Sequence, residues 1–441
     1  MSVAGQIAYQ VNVNVLGKAA LRVQRWQLER KLATPGMWKH ETLNAPIDTS
    51  PWLKELITKH YLTGRFANGA RKVAWVTSGA PVEFLKALDF FLIYPENHGA
   101  VCGIQRKGEE MCTHAENFGY SRDICSYARC DIGAVLSGTT PVGRLPKPDL
   151  LLCCNNICQT VLYWYQVLAH HFGCPLIVID TPFIYTAAAE HDIASVRRQI
   201  EEAFPIAERV AERTIEPKRL EEVMLLSRDA VDLWLKVLQT GRNRPSPITA
   251  FDEFIHMAPI VEMRGESTTV DYYSAMLHAL EERAKQKVGA LKTENRRILW
   301  DNLPIWYRIR PLGEKLAAHG VAMVASTYTN AWGELAELID ASNPMDSMAK
   351  CYLHPILNRG TGHKLATMRK MIDEYGADGV ILHSDRSCKP YSIGQIDQRN
   401  AVADGVGKPA LLLEADHTDQ RAYAVEQTDT RLSAFLELLG V

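Results

Sequence analysis

One unit occurs twice in this chain, and an internal duplication constrains a fold more tightly than any single motif. The apolar run Asp149-Leu-Leu-Leu-Cys153 leads into the polar turn Asn155-Asn-Ile-Cys158. Helical spacing follows from Thr160 to His171, and Pro175-Leu-Ile-Val-Ile179 reads as the next strand. The same succession returns far downstream. Val380-Ile-Leu382 runs into His383-Ser-Asp-Arg-Ser-Cys388, a helix-like stretch starts near Gly394, and Pro409-Ala-Leu-Leu-Leu413 closes the unit. Strand, turn, helix, strand is a parallel crossover. Its polar turn lies at the carboxyl end of the sheet, where open α/β sheets bind ligands. Cys158 and Cys388 hold the same place in the two copies. The duplication predicts two similar domains facing each other across a cleft, each offering a thiol.

The rest of the chain fits around these units. Further strands are expected at Val73–Thr77 and Phe90–Tyr94 in the first half, and at Arg297–Trp300 and Val321–Val324 in the second. Four strands per half, alternating with helices, predict parallel sheets covered on both faces. Residues 188–292 carry helical spacing without a strand signal and read as a connector. The expected class is therefore α/β. Two similar doubly wound four-stranded parallel-sheet domains, 69–187 and 293–441, are joined by the helical connector 188–292. A helical N-terminal segment, 1–68, precedes them, with Trp26, Leu28, Leu32 and Trp38 as packing residues. A length of 441 residues also exceeds what one core supports.

A net charge of −2 provides no field to attract nucleic acid or a membrane surface. No apolar run approaches the ~20 residues of a spanning helix. Met1–Lys18 lacks a basic start followed by an apolar core, so a cytoplasmic location is expected. The chain has no Gly-Lys-Ser/Thr phosphate loop, no Gly-x-Gly-x-x-Gly, no His-Glu-x-x-His and no Cys-x-x-Cys pair. A self-contained ATPase, nicotinamide enzyme or zinc hydrolase is disfavoured. What remains is ten cysteines. Disulfides are not expected in the cytoplasm, and a free buried cysteine ordinarily acts as a small apolar residue. Cys125, Cys158 and Cys388 differ, because each stands in a polar turn. Helix-start amides and the nearby Arg129, Arg386 and Lys389 favour thiolates there. Three thiolates converging from three turns suit an iron–sulfur cluster with one iron left open. Core filling and a mixed-ligand zinc site are readings that the spacing alone leaves standing.

Longer motifs narrow the choice. Tyr94-Pro-Glu-Asn-His98, Gly119-Tyr-Ser-Arg-Asp-Ile-Cys-Ser-Tyr-Ala-Arg129, Cys154-Asn-Asn-Ile-Cys158, Ile179-Asp-Thr-Pro-Phe183, Asn243-Arg-Pro-Ser-Pro247 and His383-Ser-Asp-Arg-Ser-Cys-Lys-Pro-Tyr-Ser392 resemble the benzoyl-CoA reductase / 2-hydroxyacyl-CoA dehydratase family. The resemblance covers roughly residues 70 to 440 and is to the larger of that family's two related cluster-bearing subunits. It implies a [4Fe-4S] cluster on three cysteines, which by motif fall on Cys125, Cys158 and Cys388. Cys154 competes with Cys158, but the offset from the preceding strand favours Cys158. Cys102 is the best substitute for Cys125. It is otherwise expected, with Cys112 and Cys130, to pack, and Cys153, Cys174 and Cys351 are expected in the core. Glu96 and His98 end a strand at the ligand-binding face. They read either as a turn cap and a satisfied histidine, or as groups that relay a proton or shape a thioester pocket. His383 is similarly balanced, and Ser384 and Asp385 read as turn caps. Tyr163, Trp164 and Trp306 are candidates for an apolar pocket or for plain packing.

The resemblance implies a partner subunit of the same fold, a separate ATP-hydrolysing activator that donates low-potential electrons, and an acyl-CoA substrate. Two reactions share this apparatus. One is ATP-dependent single-electron dearomatisation of benzoyl-CoA to a cyclic dienoyl-CoA. The other is ketyl-radical removal of water from a 2-hydroxyacyl-CoA to give the enoyl-CoA. The arginine-rich composition inclines the reading to the reductase. A double-cubane reductase and a cluster-maturation scaffold with the same thiols are alternatives. A scaffold differs in releasing its cluster to an acceptor and in having no affinity for a thioester.

Overall fold

The computed structural model describes residues 2–34 and 36–441. β1 (Val73–Val76), β2 (Phe91–Ile93), β3 (Leu150–Cys154) and β4 (Leu176–Ile179) form one sheet in the order β2-β1-β3-β4. β5 (Arg296–Asp301), β6 (Val321–Ser326), β7 (Gly379–Asp385) and β8 (Ala410–Ala415) repeat that order as β6-β5-β7-β8. All strand pairs within these sheets are parallel. The register makes the duplication concrete. Trp75 of β1 pairs with Leu151, and Trp300 of β5 pairs with Ile381. Each of those partners lies seven residues before its cysteine, Cys158 or Cys388.

Strand alternation divides the core. Ala74 and Val76 of β1 pack with the helical connector, whereas Val73 and Trp75 face a second cluster. Ile298, Trp300 and Ile381 of the second sheet belong to that same cluster, so one apolar core spans both halves. Val380 and Leu382 face a third cluster on the far side of the second sheet. Strands with side chains buried on both faces are near-continuous apolar runs, which is why they were visible in the sequence. Each sheet reverses direction of build between its second and third strands in space, β1/β3 and β5/β7. A crevice opens at such a switch point.

The N-terminal segment is helical from Val3 to Ala33, with a π-helical stretch at Gln10–Gly17, and is followed by the helix Ser50–Ala67. Between them an extended strap crosses to the second half, where Leu43 bridges Leu291 and Asn44 N–H donates to Ala290 O at 2.9 Å. The connector consists of the helices Glu190–Ala211, Pro217–Gln239, Ala250–His256, Ala258–Glu262 and Ser267–Lys285.

Several expectations are corrected. Trp26 and Trp38 do not pack: they are 56% and 39% exposed. Helix Lys18–Ala33 buries Leu21, and Trp26 lies on its outer side beneath the Arg30 guanidinium. Pro95–His98 is not a strand-end turn but the first turn of helix Pro95–Ile104, with Pro95 at the helix start. The next helix begins at Gly108, after a left-handed Arg106 (φ 56°). Within the connector, Ala250–His256 and Ala258–Glu262 are separate helices, because Pro259 opens the second one.

Candidate metal centre

Three turns place three thiols. Cys125 caps the N-terminus of helix Ser126–Ser137, Cys158 lies two residues before helix Thr160–Phe172, and Cys388 precedes the short turn Lys389–Ser392. All three are half-buried and line one cavity of about 140 Å³ at the carboxyl ends of the two sheets. The walls are mostly apolar and aromatic, including Trp164, Val261, Tyr328, Trp332 and Tyr391.

The electrostatics suit a cationic occupant. Burial pushes the Cys158 thiol up to about 12, and the charge of a Cys125 thiolate pushes the same way. Backbone N–H groups of Val161 and Thr160 favour the Cys158 anion but are outweighed. Cys388 is held well above its ordinary value by burial first, then by Asp385 and by the Cys125 and Cys158 thiolates. Thiols that resist ionisation, and whose anions oppose one another, need a positive centre to become ligands together. Sulfur donors with main-chain N–H groups aimed at two of them, Cys158 and Cys388, fit an iron–sulfur cluster.

Glu96 lines the same cavity from the first turn of helix Pro95–Ile104. Its Oε1 accepts from Ser78 N–H at 3.1 Å, and its Oε2 is buried without a partner. Burial raises its carboxyl to about 7, so it holds a proton near neutrality. Ser78, which also lines the cavity, follows β1 as Cys158 follows β3.

His98, two residues along the helix, faces away from the cavity. Its Nε2 meets Thr140 Oγ1 at 2.7 Å, and its Nδ1 lies 3.4 Å from Asp131 Oδ1. His383 is fully buried with Nδ1 bonded to Leu303 O at 2.7 Å, and it also lies off the cavity. Cys154 is buried inside β3. Cys102, Cys112 and Cys130 form a separate buried cluster, with Cys112 Sγ 3.6 Å from Cys130 Sγ. Cys153 is core, Cys174 is half-buried, and Cys351 is buried but contributes to the cavity wall. Trp164 lines the cavity and donates to Asp131 at 3.1 Å, whereas Tyr163 is exposed. Trp306 sits to one side, where its indole N–H donates to the Tyr127 hydroxyl.

One histidine that sequence reasoning missed ties the turns together. His417 follows β8 and is fully buried. Its Nδ1 lies 2.6 Å from Asp385 Oδ2, and its Nε2 lies 2.8 Å from Ser126 Oγ and 3.8 Å from Cys125 Sγ. Burial alone favours neutral imidazole, but the Asp385 and Asp416 carboxylates outweigh it and hold the ring protonated. Ser387 Oγ accepts from Ser126 N–H at 3.1 Å and donates to the Asp416 carboxylate. The Cys125 turn is thereby bonded to the Cys388 turn. Ligand atoms of Asp385, Asp416 and His417 lie within 4.8 Å of one another. The imidazolium already serves as their cation, so this trio is read as a brace and not as a metal site. A strand-end search continued past Leu413 to the fourth strand of the second half would have found His417.

The sequence profile described as "2-hydroxyglutaryl-CoA dehydratase, D-component" matches residues 77–439. The chain belongs to this 2-hydroxyglutaryl-CoA dehydratase D-component family. Within it, the chain is 32% identical over 391 residues to the (R)-2-hydroxyisocaproyl-CoA dehydratase alpha subunit of Clostridioides difficile, covering 88% of this chain and 95% of that one. It is 30% identical to the (R)-phenyllactyl-CoA dehydratase alpha subunit of Clostridium sporogenes, over 89% and 98% of the two chains. It is 28% identical to a benzoyl-CoA reductase subunit of Thauera aromatica, over 88% and 93%. These relatives are subunits of enzymes, dehydratases and a reductase alike. Among the described residues no helix is long and apolar enough to cross a membrane.

Proposed function

We propose that this chain is the cluster-bearing subunit of an ATP-dependent acyl-CoA enzyme, and that its reaction is dehydration of a 2-hydroxyacyl-CoA to the enoyl-CoA. The observation that carries the proposal is the convergence of Cys125, Cys158, Cys388 and Glu96 on one apolar cavity. Dehydratase alpha subunits at 30% and 32% identity support the choice of reaction. Cys125, Cys158 and Cys388 would hold a [4Fe-4S] cluster, which when bound supplies single low-potential electrons and an iron with an open position. The chain's own residues do the rest. Glu96 keeps a proton on a carboxyl fixed by Ser78 N–H, ready to exchange with a substrate whose carbon acidity or leaving group changes during the reaction. Trp164, Tyr328 and Trp332 exclude water, which strengthens every charge interaction inside. The His417 brace fixes two of the three thiol-bearing turns.

The partner is a second cluster-bearing subunit of the same fold, and the electrons come from a separate ATP-hydrolysing activator in the cytoplasm. The lack of a phosphate-binding loop here fits that division. Dearomatisation of benzoyl-CoA is the second reading, favoured by the flat aromatic walls and by the relative in Thauera aromatica. The test is anaerobic purification with the partner and activator, then assay with ATP and a strong reductant. Enoyl-CoA from a 2-hydroxyacyl-CoA is expected. Cyclic dienoyl-CoA from benzoyl-CoA, with no dehydration, transfers the assignment to the reductase. Ready release of iron to an acceptor, with no thioester binding, overturns both in favour of a scaffold.

A further inference from the structure

Four arginines are buried among the described residues: Arg129, Arg264, Arg297 and Arg359. The first three each face a carboxylate. Arg129 pairs with Glu116 and Asp419, Arg264 with Glu83, and Arg297 with Glu294. A buried charge ordinarily needs such a partner. Arg359 is 9% exposed and is in no ion pair among the described residues. Its Nη1 meets His354 Nδ1 at 3.1 Å, and its Nη2 meets Thr186 O at 3.3 Å and His363 Nδ1 at 3.4 Å. Its Nε is buried with no hydrogen-bond partner. The Glu334 charge bears on Arg359 from beyond ion-pair distance. Glu334 Oε1 accepts instead from Asn330 Nδ2 at 2.8 Å, and burial raises its carboxyl.

The two histidines turn this cation outward. A guanidinium has N–H donors and no acceptor, so His354 and His363 must each accept at Nδ1. Their ring protons then sit on Nε2. Burial first, and the Arg359 charge second, keep both rings neutral: His354 is pushed down to about 4, and His363 is lowered. His363 Nε2 is buried with no partner, so its N–H is a second unmet donor in the same cluster. An unmet buried donor is costly unless a ligand brings an acceptor. His363 also stands in the first turn of helix Thr361–Tyr375. The N-cap there is Gly360, which has no side chain to cap with, and no acid occupies the first turn. The free amides and the dipole leave that end positive. It is also open: Thr361 and Gly362 are exposed, and a Cβ on Gly362 would meet nothing within 4 Å.

We propose that Arg359, His363 and the start of helix Thr361–Tyr375 form a binding site for a small oxyanion, phosphate or carboxylate. Such an anion supplies the counter-charge that Arg359 lacks and the acceptors that both unmet donors lack. The site is distinct from the cysteine cavity, whose walls include neither Arg359 nor His354 nor His363. The two are joined through the chain: Pro355, Ile356 and Leu357, between His354 and Arg359, line that cavity. An anion that fixes Arg359 thus holds one cavity wall in place from behind. The proposal is independent of which reaction the enzyme performs.

The test measures dissociation constants of inorganic phosphate, succinate and chloride, at matched ionic strength, on the iron-loaded full-length chain with its partner subunit. Phosphate or succinate is expected to bind saturably and more tightly than chloride, and the tighter of the two identifies the source of the oxyanion. Arg359→Gln is expected to weaken that binding by about tenfold or more. Gly362→Glu is the second variant. Its site is exposed and open, and a carboxylate is favoured in a helix's first turn, so the fold is kept. The new carboxylate competes for the same donors and is expected to weaken anion binding by about tenfold or more. The anion should raise the melting temperature of the wild type and leave that of Gly362→Glu unchanged. If Arg359→Gln does not fold, Gly362→Glu decides alone. Wild-type binding of phosphate and succinate no tighter than chloride overturns the site, as does binding by Gly362→Glu within about twofold of the wild type.

Discussion

Glu96 and the three cysteines carry the chemistry at the residue scale, and each has a separate handle. Glu96 has its carboxyl near 4.5 in the unfolded chain and about 7 in the folded one. Between those values the folded state binds the extra proton, so stability falls as pH rises from about 4.5 and levels off above 7. The full penalty is up to about 3 kcal/mol. Glu96→Gln removes it, and thermal unfolding is expected to favour the variant increasingly from about pH 4.5 to about pH 7, with little further change above that. Its turnover is expected to lose the inflection near pH 7 that the wild type shows. Serine at Cys125, Cys158 or Cys388 is each expected to lower bound iron in anaerobically purified protein. Serine at Cys153, which is fully buried in β3 away from the cavity, is not.

Helix contacts decide where those residues stand. Helix Gly108–Asn117 lies close against helix Ser126–Ser137, whose N-cap is Cys125. Gly133 permits the approach: a Cβ there would fall 2.0 Å from Met111 O. Gly133→Ala must push the two backbones apart, at a cost of about 1–3 kcal/mol, read as a lower urea midpoint. The shift displaces the Cys125 turn, so a lower iron content is expected together with it. Gly99 plays a comparable part, because its Cβ would meet Tyr127 Cδ1 at 2.5 Å and disturb the turn from the other side.

Across the molecule, the two halves are fastened close to the thiols. Arg129, from the first half, is 2% exposed and pairs with Asp419 of the second half at 2.9 Å. Glu116 of the first half accepts from both Arg129 and Arg421. Arg421 still pairs with Asp419 and Glu116 when Arg129 is removed, so Arg129→Ala loses charge-assisted hydrogen bonds without stranding a carboxylate and is expected to cost about 1.5–3 kcal/mol. Since Cys125 and Cys158 lie on one side of this contact and Cys388 on the other, loss of iron is expected to precede global unfolding on heating. Iron release and far-UV circular dichroism followed in parallel check the order.

How far the sequence reached depends on the range of the interaction involved. The strands, their repetition and the turns that bear Cys158 and Cys388 were legible, because apolar runs and turn chemistry are properties of neighbouring residues. Glu96 and His98 were indistinguishable as letters. As residues two apart on a helix they point to different sides, and only folding showed which side faced the cavity. Trp26 and Trp38 looked like packing residues, yet nothing local states which face of a helix, or which side of an extended strap, finds a partner. The His417 contacts and the shared apolar core belong wholly to tertiary structure. Each is made of groups hundreds of residues apart, and their meeting depends on how two sheets and a connector pack, which no local pattern encodes.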